Sequence, residues 1–209
     1  MPELARLAPF FFAVLVLELT PGPNMGYLAV VAGQAGRRAG LVTIAGVTAG
    51  LGLCLLASIG GLAELMAARP SWLEALRWLG VGYFLWLAAD AWRTAGRPAD
   101  PARIDEPRLF VRGFVSNLLN PKAALLYVSL LPGFLDPDAG RVEVQALALG
   151  LVHIAVSIAV HLAIVLGAAR AADALAGDGR LVALQRGAAL LLVAVAAWLA
   201  AGAFAAPGP

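Results

Sequence analysis

Six apolar stretches, each more than twenty residues long, divide this sequence: Leu7–Ala32, Leu41–Ala63, Trp72–Trp92, Gly113–Leu135, Val144–Ala169 and Leu181–Phe204. A helix needs about 20 such residues to cross the hydrocarbon core of a bilayer. The composition agrees, with 61% hydrophobic and 13% charged residues and a mean hydropathy of +0.85; a soluble domain carries roughly 25% charged residues. The fold class that follows is an all-α membrane protein of six transmembrane helices, with the lipid bilayer as its surroundings. The connectors are too short or too polar to form a second domain, so residues 1–209 read as one unit. Its first apolar stretch runs past Thr20 to Ala32 with no small-x-small site closing a short core, and reads as a retained span.

Charge and cysteine content narrow the functions. A net charge of +2 says little, because in such proteins the placement of charge matters more than its sum. No nucleic-acid partner is expected, and a single cysteine, Cys54, excludes an internal disulfide and CxxC redox or metal chemistry. No cofactor and no resident metal are expected. The placement of arginine sets an orientation. The first, third and fifth connectors with their helix ends hold ten arginines, and the opposite side holds only Arg6, Arg69, Arg77 and Arg141. The odd connectors are therefore expected in the cytoplasm and both termini outside.

Three spans followed by three more cross the membrane in opposite senses, so related halves would form an inverted repeat. The halves are about 1–95 and about 110–209, joined by a cytoplasmic loop of about 94–109. A shift of one hundred residues superimposes Phe10 on Phe110, Leu19 on Leu119, Pro21 on Pro121, Tyr27 on Tyr127 and Gly33 on Gly133. The matched proline within corresponding spans carries most weight.

Those prolines break the first and fourth spans. "ELTPGPN" (residues 18–24) and "NLLNPK" (residues 117–122) interrupt apolar sequence where a helix should run on. Proline removes a backbone hydrogen bond and clashes with the preceding turn. In hydrocarbon each freed carbonyl or amide costs several kcal/mol unless protein, water or ligand meets it. Breaks in corresponding spans of inverted halves therefore point to a binding site. Thr20, Pro21, Gly22, Pro23 and Asn24 at the first break, with Asn117, Asn120, Pro121 and Lys122 at the second, are the substrate-binding candidates.

Lys122 is the only lysine in the chain. It lies about ten residues beyond Arg112, roughly 15 Å at 1.5 Å per residue, near the bilayer midplane, and Glu18 reaches a similar depth. Each charge costs about 2.5–3.5 kcal/mol there on insertion scales, so both are expected to face the protein interior. A Glu18–Lys122 pair across the interface of the halves would meet that cost and leave a carboxylate able to take a proton. In the fifth span His153, Ser157 and His161 form one helical stripe. They read either as a proton relay or as hydrogen-bonding partners for neighbouring helices, with His161, nearer the cytoplasmic end, the weaker candidate. Asp90 beside Trp92 and Arg93 reads as an interfacial anchor. Gly46 and Gly50 form a GxxxG that allows close helix approach.

Taken together, "LTPGPN", this GxxxG, "GYFLWLAADAWR" and "NLLNPKAALLY" resemble the LysE/RhtB amino-acid exporter family over essentially the whole chain. The resemblance implies a bacterial inner-membrane exporter of amino acids or their derivatives, coupled to the proton motive force, and it admits a homodimer. The family's motifs fall on Thr20 to Asn24 and on Asn120, Pro121 and Lys122. Many relatives carry an aspartate in the fifth span where this chain has only His153, Ser157 and His161. The proton-carrying group is thus open among Glu18, Lys122, His153 and Ser157.

Two other readings are weaker. An intramembrane serine protease would want a GxS-type nucleophile and a histidine on a facing helix, yet none of Ser58, Ser71, Ser116, Ser129 and Ser157 has glycine two positions before it. A metal-ion exporter would want carboxylate or thiol clusters within its spans, where Glu18 is the only deep acid.

Overall fold

A computed structural model of the protein describes residues 4–96, 105–175 and 180–204, which are helical almost throughout and contain no strand. Residues 97–104 of the loop expected at about 94–109, and the extreme termini, lie outside the described residues. The helices are α1 (Leu4–Leu19), α2 (Pro23–Ile59), α3 (Leu62–Ala67), α4 (Pro70–Thr94), α5 (Glu106–Leu118), α6 (Pro121–Leu125), α7 (Val142–Ala174) and α8 (Arg180–Phe204). Beyond α6 the chain continues as a π turn over Leu126–Leu130 and a 3-10 turn over Leu131–Phe134. Among the described residues three helices, α2, α7 and α8, are long and apolar enough to cross a membrane, and α5 with Pro121–Phe134 makes a fourth if that pair, bent by 48°, is one span.

Several boundaries differ from the sequence reading. "GQAGRRAG", read as a connector, is helical: α2 runs through it for 37 residues, and only Gly36 leaves the helix, at φ 80° and ψ −177°. Gln, Ala and Arg are good helix formers, and one glycine at positive φ redirects the chain without a loop. At 1.5 Å per residue α2 is about 55 Å long, well beyond the ~30 Å of a hydrocarbon core, so the kink divides it into two working lengths. The fourth stretch also starts earlier, at Glu106 and not Gly113. Asp105 caps it by accepting from the Arg108 amide at 3.0 Å, with proline in the first turn.

The long α2 is the hub: it packs chiefly on α5 and α7, α4 packs on α8, and α1 packs on α7. Around the first half of α2, Tyr27 and Val31 pack with Phe84 and Leu87 of α4 and with Leu192 and Ala196 of α8. A second core gathers Phe10 and Val14 of α1, Leu55 of α2, Leu126 and Tyr127 beyond the second break, and Leu149 and Val156 of α7. A smaller one joins Leu28, Ala32 and Ile44 of α2 to Val165 and Ala169 of α7.

Glycines set the closest approach. A Cβ at Gly46 would collide with the Phe110 carbonyl, one at Gly113 with the Thr43 carbonyl, and one at Gly50 would lie 2.9 Å from the Asn117 Cβ. The second half of α2 and α5 therefore meet backbone to backbone, the role read for Gly46 and Gly50. By contrast, a Cβ at Gly52 meets nothing within 4 Å. Gly46→Ala should destabilise the purified protein by about 1–3 kcal/mol through overpacking, while Gly52→Ala should be neutral or gain up to about 1 kcal/mol in helix propensity. Thermal unfolding in detergent measures both; equal melting temperatures would show that α2 and α5 are not held at this distance.

Candidate functional site

Two helix ends face each other where α1 stops and α2 starts. The last carbonyls of α1 have no partner further along their own helix, and the first amides of α2 have none before them. Gly22 precedes α2 in an extended conformation and gives it no side-chain cap, with Pro23 in the first turn. The second break lies between α5 and α6. There Asn120 caps α6 by accepting from the Lys122 amide at 3.1 Å. On the opposite side of that break, a Cβ at Gly80 would collide with the Leu119 carbonyl, so α4 runs directly beneath it.

A cavity lies between the two breaks, with about 290 Å³ of empty space including its open mouth. Glu18, Gly22 and Asn24 of the first break line it, as do Asn117, Asn120 and Lys122 of the second, with Ser157 and His161 of α7. Only about 10 Å³ of it can take the centre of a water-sized sphere, room for roughly one water molecule. Thr20, Pro21, Pro23 and Pro121 do not line the cavity: Thr20 and Pro21 are exposed, and Pro23 and Pro121 are buried against neighbouring chain. The Thr20 hydroxyl is spent on the Val16 carbonyl at 2.8 Å, leaving its own carbonyl as its contribution.

Lys122 takes that carbonyl. Its Nζ donates to the Thr20 oxygen at 2.9 Å, reaching from the second break to the first. Glu18, 6% exposed, has different partners: His153 Nε2 lies 3.3 Å from one carboxylate oxygen and His161 Nε2 lies 3.8 Å from the other. Glu18 and Lys122 share the cavity, but within ion-pair distance the carboxylate meets histidines and not the lysine. Histidine is the one side chain whose ordinary pKa allows it to take up or release a proton near neutrality. The network extends on both sides. His153 Nδ1 lies 3.0 Å from the Tyr127 hydroxyl, and His161 Nδ1 lies 3.3 Å from Ser157 Oγ. His153 is only 1% exposed and sits behind Glu18, out of the cavity, while His161, the weaker candidate from its position in the sequence, lines it.

A second buried network fixes the amides. Asn24 Nδ2 donates to Asn117 Oδ1 at 3.0 Å, and Ser116 Oγ donates to Asn24 Oδ1 at 2.9 Å. Asn117 Nδ2 has no protein partner although it is buried at the cavity wall. An unmet buried donor costs about 1–3 kcal/mol, so this amide is poised for an acceptor. Ser116 was not singled out by the sequence, because a serine on an apolar helix gives no signal until its neighbour is known.

The fold gives Asp90 a partner on another helix. Asp90 Oδ2 accepts from Arg112 Nη1 at 2.6 Å, and the guanidinium also stacks 4.5 Å from the Trp86 ring. Arg112 is mostly buried, with 14% of its side chain exposed against 36% for Asp90, so α4 and α5 are joined by a pair shielded on its arginine side. Arg38 and Glu106 form a pair of the same 2.6 Å length whose side chains are 74% and 40% exposed. Burial should separate the two. Arg38→Ala should cost about 0–1 kcal/mol, as exposed pairs do. Asp90→Ala leaves a buried guanidinium without its carboxylate and should lower the melting temperature clearly more. Equal shifts would mean that Arg112 finds water in place of Asp90.

Comparison with known proteins bears on the whole chain. The homoserine/homoserine lactone efflux protein of Salmonella typhimurium is 31% identical over 199 residues, covering 91% of this chain and 96% of that protein. The protein of the same name from Salmonella typhi matches to the same extent. An uncharacterized membrane protein of Pseudomonas aeruginosa is 30% identical over 136 residues, 61% of this chain and 63% of its own length. No solved structure matches. Residues 15–202 match the family described as LysE type translocator. The chain is a membrane-embedded transport protein, and it belongs to the LysE type translocator family.

Proposed function

We propose that this protein exports zwitterionic amino acids or their close derivatives across the bacterial inner membrane, driven by the proton motive force. The observation that carries the reading is a single cavity presenting a buried carboxylate, Glu18, an ammonium, Lys122, and an unmet amide donor, Asn117 Nδ2. An amino acid has complementary groups of both signs at one carbon. Its ammonium suits Glu18 and the Thr20 carbonyl; its carboxylate suits Asn117, Lys122 and the amides opening α2. The names of the Salmonella relatives support a substrate of this size and kind.

Proton coupling rests on Glu18 between His153 and His161. A carboxylate with an imidazole on each oxygen can hold a proton while the substrate ammonium is absent and release it when that ammonium arrives. In this reading α7 supplies histidines where many relatives carry an aspartate, and the acid comes from α1.

The proposal includes six crossings in two inverted halves, with both termini outside. The contacts support it. The packing of α1 on α7 and that of α5 on the second half of α2 become one contact when the halves are exchanged, with α4 on α8 at the centre. Tyr27 and Tyr127, one hundred residues apart, are buried in the two large cores.

Export from loaded vesicles, screened across the common amino acids and homoserine, tests the function. Efflux that needs an imposed proton gradient is expected, and uptake or efflux unaffected by a protonophore would remove the coupling. Glu18→Gln should weaken substrate binding about 10–100-fold, the equivalent of a hydrogen bond to a charged group at about 1.5–3 kcal/mol, with insertion and melting little changed. Normal export by a Pro21, Pro23 and Pro121 triple alanine variant would show that the breaks serve packing alone. Reporter fusions at Ala99 and at the C-terminus should report cytoplasm and exterior respectively.

A further inference from the structure

We infer that the protein seats its own lysine in the subsite for the substrate's ammonium, so that Lys122 is a tethered competitor the substrate must displace. This rests on the amino-acid export proposed above and adds how the site selects zwitterions. The seat is the Thr20 carbonyl at the exposed end of α1, beside the cavity and not in its lining, a helix end that favours cations and two residues along the chain from Glu18. Lys122 Nζ occupies it at 2.9 Å. Gly22 makes the room: a Cβ there would stand 3.3 Å from Lys122 Cδ and 3.7 Å from its Nζ. The lysine's backbone is meanwhile fixed by the Asn120 cap on the other break, so only its side chain bridges the gap.

With Lys122 in its wall, the cavity has space for about one water and none for an amino acid. A primary ammonium from outside offers the same donors as Lys122 to the same oxygen. Lysine's four-carbon stem is flexible and its charge compact, so the displaced ammonium can turn to the carboxylate that arrives with the substrate. A zwitterion therefore replaces one charge contact and supplies another. A simple amine evicts the lysine and offers it nothing, which makes the competition a filter against amines.

Because the chain has one lysine, protein grown on lysine carrying nitrogen-15 at Nζ gives a single side-chain ammonium signal, observable in lipid nanodiscs. The probes are L-homoserine and 3-amino-1-propanol, its analogue without the carboxylate. Both should move the Lys122 signal, homoserine at lower concentration. Lys122→Met should bind the amine about tenfold more tightly than the native chain, the factor released when a competing state populated about nine-tenths of the time is removed, and bind homoserine more weakly. Lys122→Gln, which keeps a donor for the Thr20 carbonyl, should gain less. The inference is overturned if the amine saturates the native protein without moving the Lys122 signal. It is equally overturned if the Gln variant gains as much as the Met variant, since loss of charge would then explain both. The nitrogen-15 arm needs no variant, so a misfolded mutant does not remove the test. A native chain that binds no amino acid, beside a Met variant that gains the amine, would sink the export reading and leave the seated lysine standing.

Discussion

A helix that stops inside an apolar bundle must find partners for the backbone groups it frees, and that requirement organises this molecule. The end of α1 finds one in Lys122, which donates to the Thr20 carbonyl. The start of α6 finds one in Asn120. The start of α2 has no side-chain cap, and the buried amides of Asn24 and Asn117 gather beside it with one donor unmet. Partners drawn from the opposite break tie the two halves of the chain together. The polar lining of the cavity is thus a consequence of broken helices in hydrocarbon, and any ligand bound there takes over contacts the backbone already requires.

Charge in the cavity follows the same economy. Glu18 and Lys122 could have neutralised each other, and a direct pair would have answered the cost of burial. It would also have left neither free for a substrate. Instead Glu18 sits between two histidines and Lys122 on a carbonyl, partners that neutral or cationic competitors can replace. The histidines are fixed in turn, one by Tyr127 and the other by Ser157. The acid is therefore held in position by imidazoles, with no arginine or lysine among the described residues within ion-pair distance.

How much of this was legible in the sequence depended on the range of each contact. Apolar blocks pointed to a helical membrane protein, because they are local signals that survive without coordinates. The LysE motifs gave the family. What failed was long-range or depended on one torsion angle. Arg112 and Asp90 are on different helices, and nothing in "AADAWR" indicates that its acid turns inward to an arginine twenty-two residues later. His161 was underweighted because its place along α7 hid its approach to Glu18. The connector before Leu41 looked like a loop since it holds three glycines and two arginines, yet only Gly36 bends. Sequence also grouped Pro21, Pro23 and Pro121 with the binding residues, and none of the three lines the cavity.

The close packing on α2 decides where the cavity could widen. Gly46, Gly50 and Gly113 set α2 and α5 at backbone contact, and the Phe110 and Thr43 carbonyls leave no space for either helix to advance. Backbone contacts of this kind are costly to shift, since interiors at crystalline density have no slack to absorb a displaced carbonyl. The breaks are different. Gly22 is extended, the two residues before it are exposed, and the chain beyond α6 passes through π and 3-10 turns within nine residues, from Leu126 to Phe134. Such turns have weaker hydrogen-bond geometry than an α-helix and exchange with it at small cost. For the export proposed above the cavity would have to grow from about one water to one amino acid, and moving α1 and the α6 segment against the α2–α5 core would allow it. The lysine that joins those two movable parts is the contact such a motion must break first.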